Sequence, residues 1–163
     1  MRIKRGIVAA LALAAVAVAA RARGRLRRTE VAGHSMEPAL VPGDYLVTIE
    51  HTGMPRRGDI VVVPHPARAG LDLLKRVIGL PGESLTITSG LVHLDGEALA
   101  EPWANGPGAA DGTWRIGPGE VFLLGDNREH SSSDGRAFGP LPLPPQWWLV
   151  RWRYWPPRRI GRV

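Results

Sequence analysis

A serine hydroxyl is a poor nucleophile until a neighbouring group takes its proton, so the informative residues are those that could act as its base. Ser35 stands in Gly33-His34-Ser35-Met36-Glu37-Pro38, a stretch whose glycine and proline also suit an ordinary turn. The chain has five histidines, His34, His51, His65, His93 and His130. Adjacent side chains of an extended segment point to opposite faces, which argues against His34, and no spacing singles out the other four. A Ser-His-Asp arrangement through His130 stays open.

Lysine use is more telling. Against nineteen arginines there are two lysines, Lys4 in the N-terminal tail and Lys75 in the body. Lys75 lies in the apolar run Leu71-Asp72-Leu73-Leu74-Lys75-Arg76-Val77-Ile78, where alternation puts Leu73, Lys75 and Val77 on one face and Arg76 on the other. A lysine desolvated in this way titrates well below its free value and can act as a base, which arginine cannot. Taken alone, the segment also suits a strand lysine held in an ion pair or snorkelling to the surface.

The elements that must position these residues are short. From Val31 onward, glycine and proline punctuate the apolar or β-branched runs Tyr45–Ile49, Ile60–Val63, Leu71–Ile78, Ser84–Thr88, Leu91–Leu94 and Val121–Leu124. That pattern predicts a mainly β domain of antiparallel sheets or a partly open barrel over residues 31–163. Within it, Asn105-Gly106-Pro107-Gly108 and Gly117-Pro118-Gly119 bracket little apolar material, so an inserted lobe or long loop is expected over about 83–119.

Residues 1–30 form a separate unit. Arg2, Lys4 and Arg5 precede the fourteen uncharged residues Ile7 to Ala20, and Arg21, Arg23, Arg25, Arg27 and Arg28 follow. Fourteen helical residues span roughly 21 Å, short of the ~30 Å hydrocarbon core, although arginines snorkelling at both ends lengthen the reach. A membrane-anchor helix is the favoured reading. A cleaved signal peptide ending near Ala17-Val18-Ala19 and a soluble extension are the alternatives. The basic start suits a cytoplasmic N-terminus, and the five arginines beyond the run oppose that orientation.

The formal charge of +6 divides unevenly: +7 over residues 1–30, +5 over 151–163 and −6 over the body between them. Basic ends on an acidic body fit a lipid surface better than a nucleic-acid groove, so no nucleic-acid partner is expected. With no cysteine, disulfides, thiolate metal sites and a cysteine nucleophile are excluded. No His-Glu-x-x-His or phosphate loop is present, and no metal or cofactor is implied.

Four blocks in order carry a family resemblance: Ser35-Met36-x-Pro38; Gly58-Asp59-Ile60-Val61; Lys75-Arg76-Val77-Ile78-Gly79-Leu80-Pro81-Gly82-Glu83; and Gly125-Asp126-Asn127-Arg128 with Ser132-x-Asp134-x-Arg136. Together they resemble the bacterial type I signal peptidases, from about Val31 to Pro157. The resemblance implies a membrane-anchored, extracytoplasmic Ser/Lys endopeptidase that removes signal peptides from secretory precursors after small residues, working against a lipid bilayer. It implies that Ser35 attacks the scissile carbonyl and Lys75 takes the proton. Ser132 then resembles a serine that orients the lysine, Asp134 and Arg136 a supporting salt bridge, and Met36 a packing residue beside the nucleophile.

Three departures stand out. Gly33 occupies a place where relatives often carry a hydroxyl that helps the oxyanion hole. One extra residue follows Asn127, which makes Ser131 and Ser132 rivals for the lysine's partner. Gly135 replaces a common serine. A protease dedicated to one substrate and a catalytically silent membrane-bound relative are the alternative functions. At the C-terminus, Trp147, Trp148, Trp152, Tyr154 and Trp155 alternate with arginines, as in a final core strand or a membrane-facing surface.

Overall fold

The computed structural model describes residues 25–108 and 111–163. The proposed anchor over the uncharged run therefore lies outside the described residues, among which no helix is long and apolar enough to cross a membrane.

The chain is mainly β. Among the described residues the strands are β1 (Leu26–Glu30), β2 (Tyr45–His51), β3 (Ile60–Pro64), β4 (Asp72–Gly79), β5 (Ser84–Thr88), β6 (Leu91–Leu94), β7 (Glu97–Ala98), β8 (Gly112–Arg115), β9 (Glu120–Leu124), β10 (Leu141–Pro142), β11 (Trp147–Trp155) and β12 (Gly161–Arg162). A short α-helix, α1, covers Gly135–Phe138, and a 3-10 turn covers Pro157–Arg159. The large sheet has the order β1-β2-β11-β3-β4-β9-β10, with β12 beside β11, and every pairing is antiparallel. It is open, with β1 and β10 at its ends.

The runs expected from the sequence all become strands, because each places branched or apolar side chains in one of three packed clusters. Val61, Val63, Leu73, Val77, Val121, Leu123, Trp147 and Leu149 fill one. Val31, Met36, Leu40, Leu46, Ile60, Val62 and Val150 fill a second, so β3 is buried on both faces. The third joins Ile78, Phe122 and Leu124 of the large sheet to Leu85, Ile87 and Val92. It therefore glues a smaller sheet of order β7-β6-β5-β8 onto β4 and β9. The stretch expected as a lobe or long loop over 83–119 is this sheet, with Leu85 and Ile87 fully buried.

Two boundaries differ from expectation. Leu26–Glu30, assigned to the N-terminal unit, is the edge strand of the large sheet, paired with β2 from Leu26↔Ile49 to Glu30↔Tyr45. Backbone pairing holds it there although four of its five residues are exposed. The aromatic C-terminal segment divides within one strand: Trp147, Leu149 and Val150 are core, whereas Trp152 and Trp155 are 42% and 50% exposed.

Candidate active site

Ser35 is held by what surrounds it in sequence. The next residue, Met36, is buried with Val31 and Leu40, and Leu40 N–H donates to the Met36 carbonyl at 2.8 Å. Burying one such side chain contributes about 1.5–3 kcal/mol, which fixes the turn between β1 and β2 and leaves Ser35 half-exposed above it. The Asn127 N–H donates to the Ser35 carbonyl at 3.0 Å. The N–H of Ser35 itself has no acceptor among the described residues.

Lys75 approaches from β4. It is only 5% exposed, between the core residues Leu73 and Val77, and its Nζ donates to Ser35 Oγ at 2.7 Å and to the Leu74 carbonyl at 3.1 Å. No carboxylate is hydrogen-bonded to it among the described residues. Desolvation by burial pulls its pKa down to about 8, against the pull of the more distant Asp134 and Asp126 and helped by Arg136. At pH 7 such an amine is neutral in roughly a tenth of molecules, several hundredfold more than a free lysine.

Arg76 takes the opposite face of β4. Its guanidinium forms a two-pronged ion pair with Asp126, at 2.7 and 2.6 Å, and donates to the Gly58 carbonyl at 2.7 Å. Gly58 has φ +88, so the turn before β3 needs glycine to bring that carbonyl round. Trp103 from the smaller sheet's side lies over the guanidinium at 4.9 Å. Burial pushes the Asp126 carboxyl up, against the pull of Arg76.

Asp134 organises the last motif. It is buried, caps α1 by accepting from the Arg136 N–H at 3.1 Å, and pairs with the Arg136 guanidinium at 3.0 and 2.9 Å. Arg136 in turn ties down the Arg128 and Ser131 carbonyls at 2.7 and 2.6 Å. The serine in this network is Ser131, which is buried and donates to Asp134 Oδ2 at 2.6 Å. Ser132 is exposed. Of the two rival serines, Ser131 is therefore the buried one and its hydroxyl is engaged with Asp134, while among the described residues neither is hydrogen-bonded to Lys75. Gly125 locks this arrangement: a Cβ there would collide with Ser131 Oγ and with the Ser35 carbonyl at 2.6 Å. Gly33, by contrast, has open space around its Cβ position.

Among the described residues no histidine is hydrogen-bonded to Ser35. His34 faces Glu37 at 3.0 Å, His51 stacks on Trp147, His65 accepts from the Ala67 N–H and His130 contacts Asn127 at 3.1 Å. The Arg76–Asp126 pair and the buried Arg128–Glu101 pair were not assigned roles from sequence. The available signal was Arg76 itself, since an arginine in a largely apolar strand requires a counterion once packing covers it.

A hydroxyl held against a buried amine of lowered pKa on a mainly β scaffold fits the chemistry of a serine peptidase. Residues 3–155 match the family described as signal peptidase, peptidase S26. The chain is 34% identical to a probable signal peptidase I-1 of Synechocystis sp., the match covering 82% of this chain and 73% of that one. It is 35% identical to a signal peptidase I of Leptolyngbya laminosa over 82% of this chain and 70% of that one, and 35% identical to one of Bacillus caldolyticus over 77% and 78%. The chain belongs to the S26 signal peptidase family and is a serine peptidase.

Proposed function

We propose that this chain removes signal peptides from secreted precursors after small residues, with Ser35 as nucleophile and Lys75 as general base. The observation that carries this reading is the 2.7 Å contact between Ser35 Oγ and an amine that burial has brought to a pKa of about 8. The relatives named above are signal peptidases, which supports the substrate class.

In the proposed reaction, neutral Lys75 Nζ takes the Ser35 proton as Oγ adds to the scissile carbonyl. The unused Ser35 N–H stabilises the oxyanion. Collapse expels the amine of the mature protein, which receives the proton from Lys75, and leaves an acyl ester on Oγ. Water then adds with Lys75 again as base, releasing the signal peptide and regenerating the hydroxyl. Ser131, Asp134 and Arg136 act as positioning residues that hold the Gly125–Arg128 segment against Ser35. Met36 seats the nucleophile.

The uncharged run Ile7 to Ala20 supplies a membrane anchor in this reading, with the catalytic domain on the extracytoplasmic side. Exposed Trp152, Trp155 and Ile160, interleaved with arginines, support contact with the headgroup layer. The test is cleavage of a secretory precursor by detergent-solubilised protein, with Ser35→Ala and Lys75→Ala in parallel and the cut located by mass spectrometry. A small-residue cut lost in both variants is expected. A cut that survives Ser35→Ala would overturn the assignment.

A further inference from the structure

Beside the Ser35–Lys75 pair lies a cleft carrying an ion pair that the proposed reaction does not use. The cleft, about 320 Å³, separates β1 from the start of β4 and is lined by Arg27, Thr29, Ala32, Val62, Asp72 and Leu74 among others. Its inner end is fixed by the chain itself, since Ala32 stands three residues before Ser35 and Leu74 immediately before Lys75. Both walls offer free backbone. Among the described residues β1 pairs with β2 alone, and β9 joins β4 only from Arg76 onward. An extended peptide can hydrogen-bond to such edges.

Arg27 Nη2 and Asp72 Oδ2 meet across the cleft at 2.7 Å, with the side chains 42% and 35% exposed. The Arg27 guanidinium is also held over the Trp148 ring at 5.8 Å. At about 3.3 Å per strand residue, Asp72 stands roughly 10 Å from Lys75 along β4, the distance covered by about three residues of an extended substrate.

We propose that Arg27 and Asp72 form a charge gate that decides which charged residues a substrate carries about three positions from the scissile bond. The proposal rests on the peptidase function proposed above and seats the substrate in this cleft. Paired, the two charges cancel, so a small uncharged residue passes while a charged one must displace half of the pair. Removing the Asp72 charge leaves Arg27 facing the cleft and favours an acidic residue. Removing the Arg27 charge leaves Asp72 and favours a basic one.

The experiment uses the full chain in detergent and peptides identical except for Ala, Glu or Lys placed two to four positions on either side of the cut. Wild type, Arg27→Gln, Asp72→Asn and the exchanged pair Arg27→Asp with Asp72→Arg are compared by kcat/KM. Each is also made with Ser35→Ala and its binding of the same labelled peptides read by anisotropy. Asp72→Asn should raise the Glu-to-Lys preference about five-fold, as suits a part-exposed pair, Arg27→Gln should lower it by a similar factor, and the exchanged pair should return it to the wild-type value. Because each ratio is internal to one variant, a general loss of folded protein cancels. Ratios that stay fixed, or move the same way in both single variants, overturn the gate. Cleavage without charge dependence sinks the gate and leaves the peptidase reading standing, whereas charge-dependent binding without cleavage does the reverse.

Discussion

Lys75 and Arg76 are neighbours on β4, and the two faces of that strand treat their charges in opposite ways. Arg76 is met by a bidentate carboxylate, a carbonyl and an aromatic face, all of which stabilise a permanent cation. Lys75 is met by a hydroxyl, a carbonyl and apolar neighbours, which leave its cation under-compensated. One strand thus carries a permanent, fully paired charge and an amine of lowered pKa side by side. The difference lies in the environment as much as in the residue: a guanidinium holds its proton wherever it is placed, whereas an ammonium yields its proton once desolvated.

The strongest way to break the contrast is to make both positions alike. Lys75→Arg puts a group that cannot deprotonate beside Ser35, and should lower kcat/KM by about 10⁴-fold or more while circular dichroism shows an intact fold. Wild-type kcat/KM should rise with pH and level off above about 8, since the proposed reaction uses the neutral amine. A flat profile from pH 6 to 9 would argue against Lys75 as the base.

Attacking the other face should damage stability rather than chemistry. Asp126→Ala leaves the Arg76 guanidinium, largely buried, without its carboxylate, at an expected cost of about 3–5 kcal/mol in urea denaturation. The fraction that remains folded should keep Ser35 and Lys75 active, with the midpoint of the pH profile moved to lower pH because Asp126 no longer holds the Lys75 ammonium.

Lys75→Met should act in the reverse sense on stability. Between pH about 8 and 10.5 the unfolded chain holds the Lys75 proton and the folded chain does not, so wild-type stability rises with pH across that window and is lowest below it. The inactive Met variant escapes this cost and should be more stable at pH 7 by up to about 3 kcal/mol. Its advantage should shrink as pH rises from 8 to 10.5, which paired urea titrations at several pH values would show. An advantage independent of pH would mean that packing, not the proton, sets the difference.

How far the sequence revealed this contrast depends on whether the signal was local. Lys75 was conspicuous because an arginine-rich chain places one lysine in its body, and alternation already set it opposite Arg76. The carboxylate that answers Arg76 lies fifty residues away, and no local pattern reports such a pairing. Ser131 and Ser132 are equivalent in composition and neighbours in sequence; only burial separates them, and burial is decided by how Asp134 caps α1. Apolar runs announced most strands, but β1 is Leu-Arg-Arg-Thr-Glu, a charged edge whose stability comes from backbone pairing with β2 and from Arg28 lying against Tyr154. Side-chain periodicity has nothing to read there. The smaller sheet was underestimated for a similar reason, since its core is completed by Ile78, Phe122 and Leu124 of other strands.

The smallest expected effect concerns the one place where the site looks under-equipped. The Ser35 N–H is free to meet an oxyanion, and the residue two positions earlier is Gly33, with no side chain to offer a second donor. Nothing within 4 Å opposes a Cβ at Gly33, and its backbone is not among those with positive φ, so a serine fits without strain. Removing one preorganised donor from an oxyanion hole costs about 10²–10³ in rate, and a donor added to an unshaped site recovers only part of that. Gly33→Ser should therefore raise kcat about ten-fold with little change in KM, because the new hydroxyl contacts the tetrahedral oxygen and not the ground-state carbonyl. If kcat stays constant while KM falls, the hydroxyl binds substrate rather than the oxyanion. If neither moves, another donor already fills the hole, and the contrast between a fully answered Arg76 and a sparsely equipped Ser35–Lys75 pair would have to be withdrawn for the oxyanion side of the site.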